Sequence, residues 1–189
     1  MSFKPLWREI QSRAIARKRL IVENIPDYLK YKTMLYVGAS PARFELVDLF
    51  CGRYEIDVYE AFLPNVRGLI KINEELKIFR AVMHGDITIL DPEIVRDLYD
   101  IVLWHHGPEH IRRKKLRSAL ETLEAIAKHL VILGCPFGRA PQGPVKGNKY
   151  ERHLSTLYPE DFEKLGYKTA TIRKAGARGA HILAWKKLK

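Results

Sequence analysis

The sequence predicts an α/β protein: a doubly wound, mostly parallel seven-stranded sheet with an antiparallel C-terminal hairpin strand. Three observations predict it. From residue 33 onward, apolar or β-branched runs of strand length alternate with amphipathic stretches of helix length, the pattern of parallel βαβ units. The first run, "MLYVG", ends on Gly38 and passes into "ASPARFELVDLF", a strand, a one-glycine turn and a helix. The last two runs, "YKTATIRKA" and "AHILAWKKL", are joined by "GARG" alone. A parallel crossover needs a dozen or more residues, so the final strand must run antiparallel to its neighbour.

Residues 1–30 read as a helical extension and residues 31–189 as the core of one domain. Phe3, Leu6, Trp7, Ile10 and Ala14 fall on one helical stripe, with Arg8, Arg13 and Arg19 largely off it. "TMLYVG" is a buried strand. "PARFELVDLF" is a helix with Ser40 as N-cap and Pro41 at its first position. "YEIDVYE" alternates as strand two, and "NVRGLIKINEEL" is a weaker helix interrupted by Gly68. "KIFRAVMHGD" gives strand three, "DPEIVRDL" a short helix and "YDIVLWHH" strand four. Leu116, Leu120, Leu123, Ala127 and Leu130 mark one long helix, "HLVILGC" strand five and "PEDFEKLG" a last short helix.

The chain has 189 residues, 47% hydrophobic and 29% charged, values of a globular domain able to bury a core. No apolar run reaches the ~18 residues of a membrane span, so no membrane partner is expected. The basic N-terminus lacks the apolar stretch and cleavage site of a secretory signal. Cys51 and Cys135 give neither metal spacing nor a disulfide framework. A reduced, cytoplasmic protein is the expectation. The formal charge of +11 fits either a solvated surface or an anionic substrate or partner.

The order of elements from Thr33 to Lys189 resembles the class I S-adenosylmethionine-dependent methyltransferases, which have a Rossmann-like fold. "LYVGAS" resembles their first motif, and the resemblance implies that Gly38, Ala39 and Ser40 approach the methionine part of the cofactor. Glu60 ends strand two about 20 residues after the turn, where an acidic side chain accepts the ribose hydroxyls; Ala61 follows it. "HGDI" implies adenine contacts by Asp86 and Ile87, and Trp104 is placed against the adenine or the substrate. The Glu109–His110 pair in "HHGPEH" resembles one found in many small-molecule methyltransferases. The late segment "GCPFGRAPQGPVKGNKYERH" resembles a subset with a Pro-Gly loop, implying substrate contacts by Gln142, Asn148 and His153. The first motif also departs from the family: Tyr36 stands where an acidic residue is usual, and Ser40 and Ala42 where glycines are usual. These departures argue more strongly against a dinucleotide, whose pyrophosphate needs the second and third glycines.

Histidines gather where strand four ends. His105 or His106 is the candidate substrate-facing base, oriented by Glu109 or His110. The spacing of His105, His106, Glu109, His110 and His153 matches no familiar ligand pattern, so no metal is expected. The run "RRKKLR" appears at the start of the long helix, where cations oppose the helix dipole. Arg112, Arg113, Lys114 and Lys115 therefore suit an anionic substrate or nucleic acid. The resulting reading is a methyltransferase of a small molecule or other anionic substrate, with S-adenosyl-L-methionine as cofactor. The alternative is a catalytically weak methyltransferase-like protein that binds RNA or an assembly partner through a basic face.

Overall fold

The computed structural model describes residues 16–41, 52–90, 98–172 and 180–188. The expected stripe from Phe3 to Ala14, the helices expected within 42–50 and 91–97, and the "GARG" turn lie outside the described residues. The strands are β1 (Thr33–Val37), β2 (Glu55–Glu60), β3 (Ala81–His84), β4 (Tyr99–His105), β5 (Ala127–Pro136), β6 (Lys168–Ile172) and β7 (His181–Lys187). They form one seven-stranded sheet in the order β3-β2-β1-β4-β5-β7-β6. β1 to β5 pair in parallel, while β7 is antiparallel to both β5 and β6. The sheet is the predicted one.

Among the described residues, four helices cover its faces: α1 (residues 16–24), α2 (Leu63–Leu76), α3 (Leu116–Ile126) and α4 (Pro159–Glu163). The period-2 alternation of strand side chains divides the core into two layers. Met34, Tyr36, Ile101, Leu103 and Ile132 pack with Ile21 and Ile25 of the N-terminal segment and Leu69 of α2. Leu35, Val37, Val102, Trp104 and Leu133 pack on the other side with Leu116, Leu120 and Leu123 of α3 and Phe162 of α4. A strand buried on both faces reads as a continuous apolar run, as β1 and β4 do.

Three sequence expectations are corrected. The long helix stops at Ile126, and Ala127 and Leu130 already belong to β5. Their helical spacing is accidental, because the buried positions of β5 follow directly on the apolar face of α3. The run Arg112–Lys115 does not open α3 as α-helix: Arg113–Lys115 forms a 3-10 turn and the α-helix starts at Leu116. Gly68 does not interrupt α2; a Cβ there would lie 2.8 Å from Cγ of Pro41, so glycine admits the turn that follows β1.

At the amino ends of the strands, Asp57 accepts hydrogen bonds from Arg80 at 2.5 and 3.0 Å and from the Tyr99 hydroxyl at 2.7 Å. Asp100 accepts from the backbone N–H groups of Lys32 and Thr33 at 3.0 Å each. Burial works against both carboxylates, but these donors outweigh it and hold each pKa below the usual range.

At the carboxyl ends, β5 carries a glycine for a steric reason. A Cβ on Gly134 would lie 2.2 Å from Cδ2 of His105 and 2.9 Å from Nε2 of His181. Gly134→Ala should therefore push two buried rings apart. Overpacking of this kind costs about 1–3 kcal/mol, and each kcal/mol lowers the melting temperature by roughly 2–4 °C at this chain length. A thermal melt should fall by several degrees, and an unchanged melt would contradict the packing described.

Candidate functional site

A pocket of about 310 Å³ opens at the carboxyl ends of β1, β2, β3 and β4. Parallel α/β sheets bind ligands there, because the loops that leave the strands diverge at that edge. Gly38, directly after β1, has φ +74, and its N–H donates to the Tyr59 carbonyl at 2.9 Å. That positive φ favours glycine, and the indole of Trp104 lies just across from it. Ala39 and Ser40 stand behind this wall: Ala39 is fully buried, Ser40 half-buried, and neither lines the pocket.

β2 delivers Glu60 and Ala61 to the pocket wall. Glu60 is 5% exposed, and its Oε1 accepts from the Phe62 N–H at 2.7 Å and from Asn65 Nδ2 at 3.5 Å. Burial pushes its pKa up to about 7, only partly offset by those donors, and the nearby Glu151 carboxylate adds to the rise. After β3, Asp86 accepts from both the N–H and the hydroxyl of Thr88, which turns Ile87 into the wall. Two glycines hold aromatic rings in place. A Cβ on Gly85 would lie 2.0 Å from the Tyr59 hydroxyl, and one on Gly107 would lie 1.7 Å from Nε1 of Trp104.

The end of β4 separates the two adjacent histidines. His105 is buried away from the pocket, its Nε2 3.1 Å from Nε2 of His181 on β7. Burial, reinforced by His106 and Arg17, drives the His181 pKa well below the ordinary histidine value, so its ring is neutral at pH 7. His106 has φ +55 and lines the pocket. Its Nε2 lies 3.1 Å from Nη1 of Arg17, and its Nδ1 lies 3.1 Å from Oε1 of Glu109. A guanidinium only donates, so Nε2 is the acceptor and Nδ1–H donates to the carboxylate. Glu109 itself is buried behind this wall, and its backbone carbonyl accepts from the N–H groups of Leu154 and Ser155.

The late loop closes the pocket. Asn148 lines it and caps its own turn by accepting from the Tyr150 N–H at 2.9 Å. Gln142 and His153 hold this loop rather than line the pocket. Gln142 Nε2 donates to the Glu151 carbonyl at 2.7 Å, and His153 Nδ1 donates to the Ala140 carbonyl. His110 lines the pocket and stacks edge-on against His153, with ring centroids 5.0 Å apart. Of the basic run, Arg112 and Lys115 line the pocket, whereas Arg113 pairs with Asp161.

Several lining residues carry no sequence signal, among them Tyr59, Thr88, Ile111, Tyr150 and Leu154. His181 was likewise unmarked, and Arg17 stood only as one cation of a basic N-terminal helix. An isolated histidine in a C-terminal hairpin and one arginine among many in a basic segment gain meaning only from the fold.

No protein-family model and no curated protein matches the sequence. Solved structures do match. The N-terminal domain of EvdMO1, crystallised with SAH and D-fucose, superposes with a TM-score of 0.66 at 16% identity, covering 100% of this chain and 98% of that one. Magnesium protoporphyrin IX methyltransferase from Synechocystis PCC 6803, with bound SAH, gives 0.65 at 13% identity, covering 100% of this chain and 89% of that one. A Rhodobacter sphaeroides chain described as a zinc-dependent alcohol dehydrogenase gives 0.66 at 12%, covering 91% and 89%. At such identities the likeness concerns architecture, and in that sense the chain has the class I S-adenosylmethionine-dependent methyltransferase fold.

Proposed function

We propose that this protein is an S-adenosylmethionine-dependent methyltransferase acting on a small, anionic molecule. The observation that carries the reading is Glu60: a buried carboxylate at the carboxyl end of β2, on the wall of the pocket, with one oxygen engaged by Phe62 and Asn65. A carboxylate in that position suits two ribose hydroxyls. Asp86 and Ile87 would meet the adenine, Trp104 would lie against the bound cofactor, and the Gly38 turn would approach its methionine end. The cofactor supplies an electrophilic methyl group on a sulfonium. The chain's own residues then position a nucleophile, exclude water and take a proton where the acceptor has one. His106 is the proposed proton acceptor. His106 lines the pocket; its Nε2 lone pair, engaged by Arg17, would take the proton once that contact is released, and Glu109 would support the imidazolium through Nδ1.

The division of the basic run supports a small anion in the pocket. Arg112 and Lys115 line the pocket and Arg113 pairs with Asp161, while all four side chains of the run are exposed.

Glu60→Ala should weaken S-adenosylmethionine binding at least tenfold in a calorimetric titration, with little change in melting temperature. Hydrogen bonds to a charged acceptor contribute about 1.5–3 kcal/mol each. Unchanged affinity would remove the ribose assignment.

Glu60 also sets a pH dependence. Its pKa rises from 4.5 in the unfolded chain to about 7 in the free fold, so the folded state holds the extra proton across that window. Stability contributed by this group is therefore lost as pH climbs from 4.5 towards 7. Ribose hydroxyls donate to the ionised form, so binding should expel the proton and affinity should rise with pH until about 7. Titrations at pH 6 in two buffers of different ionisation enthalpy should report net proton release, and Glu60→Gln should abolish it. Proton uptake instead of release would contradict the assignment.

A further inference from the structure

Among the described residues, two sets of side chains bring ligand atoms within 4.8 Å of one another: His105, His106 and His181, and Glu109, His110 and His153. The first set is satisfied as it stands. His105 and His181 face each other Nε2 to Nε2 as donor and acceptor, and the lone pair of His106 Nε2 receives the Arg17 guanidinium. A cation entering there would meet a cation already in place.

The second set is arranged differently. His110 Nδ1–H donates to the Arg152 carbonyl at 3.2 Å, and His153 Nδ1–H donates to the Ala140 carbonyl. Both protons are thereby fixed on Nδ1, which makes each Nε2 an unprotonated donor of electrons. His110 Nε2 lies 3.9 Å from Oε1 of Glu109. The carboxylate is oriented in turn by His106 Nδ1–H at 3.1 Å. Two imidazoles locked by backbone carbonyls and one carboxylate locked by a ring N–H are what metal ligands require from their surroundings.

We propose that Glu109, His110 and His153 bind a divalent transition-metal ion at the rim of the pocket. Two nitrogens and one oxygen suit zinc, with manganese or ferrous iron weaker and magnesium poorly served by so few oxygens. Three protein ligands leave coordination positions open, and His110 also lines the pocket. Those positions would accept an oxygen of the substrate, a hydroxyl or carboxylate group. The structure brings together what spacing alone did not: His153 comes from the late loop, and that loop folds back onto the end of β4 through the Glu109 carbonyl.

The test is a titration of the full chain, stripped with chelator and free of cofactor, so its outcome does not depend on the methyltransferase reading. Zinc, manganese and magnesium chloride are compared by calorimetry. One equivalent of zinc should bind, more tightly than manganese and far more tightly than magnesium. His110→Ala and His153→Ala should each weaken zinc at least tenfold, while His181→Ala leaves it unchanged. Because His153 holds the loop, His153→Gln and a thermal melt of each variant separate loss of a ligand from loss of fold. Absence of saturable one-to-one zinc binding overturns the proposal. So does zinc binding that survives folded His153 variants or is lost in His181→Ala.

Discussion

The pocket depends on one constraint: neighbouring parallel strands end at the same level. Register places Val37 beside Tyr59 and Trp104, Glu60 beside His84, and His105 beside Gly134. A slip of one residue in β4 would exchange the two faces of the strand, since side chains alternate. Trp104 would then leave the layer of Leu35 and Val37, and the histidine pair would trade places. The apolar faces on both sides of β4 fix that register, because Ile101 and Leu103 belong to one core layer and Val102 and Trp104 to the other. Packing energy deep in the sheet thus sets the position of groups at its edge.

What the sequence made legible follows from this. β1 and β4 are buried on both faces, so continuous apolar runs identify them. The reversed β7 was legible from connection length, a covalent limit that packing cannot override. The boundary between α3 and β5 was not, because Leu123, Ala127 and Leu130 keep helical spacing while the chain has already become extended at Ala127. Gly38, Glu60, Asp86 and Trp104 could be anticipated from their places at strand ends, and all four line the pocket. Ala39, Ser40, Gln142 and His153 were anticipated beside them but lie behind the wall or in the supporting loop. His181 and Arg17 became visible only once β7 and α1 were laid against β4, since neither has a local sequence partner that marks it.

Glycines near the pocket act by the absence of a side chain rather than by flexibility. Gly85, Gly107 and Gly134 each sit under a ring of Tyr59, Trp104 or His105 that a Cβ would displace. Only Gly38 among the lining glycines takes a positive φ. The usual glycine signature of a nucleotide turn is therefore redistributed. One glycine remains in the first turn, and the others lie after β3, after β4 and within β5, where aromatic and imidazole rings rest on the backbone.

The two ends of the sheet treat their carboxylates in opposite ways. At the amino ends, Asp57 meets a guanidinium and a phenol, and Asp100 meets two backbone N–H groups; each is held below its ordinary pKa and ties neighbouring strands together. At the carboxyl ends, Glu60 is buried with one short N–H donor and rises to about 7. The amino-end carboxylates are finished interactions, whereas Glu60 retains an oxygen and a proton whose energetics improve when donors arrive. Perturbation by burial inside a cleft, without a compensating cation, is the condition under which a carboxylate serves a ligand rather than the fold. The same contrast separates the two histidine sets: His105 and His181 complete each other inside the core, while His110 and His153 spend their protons on backbone carbonyls and turn their remaining nitrogens towards Glu109.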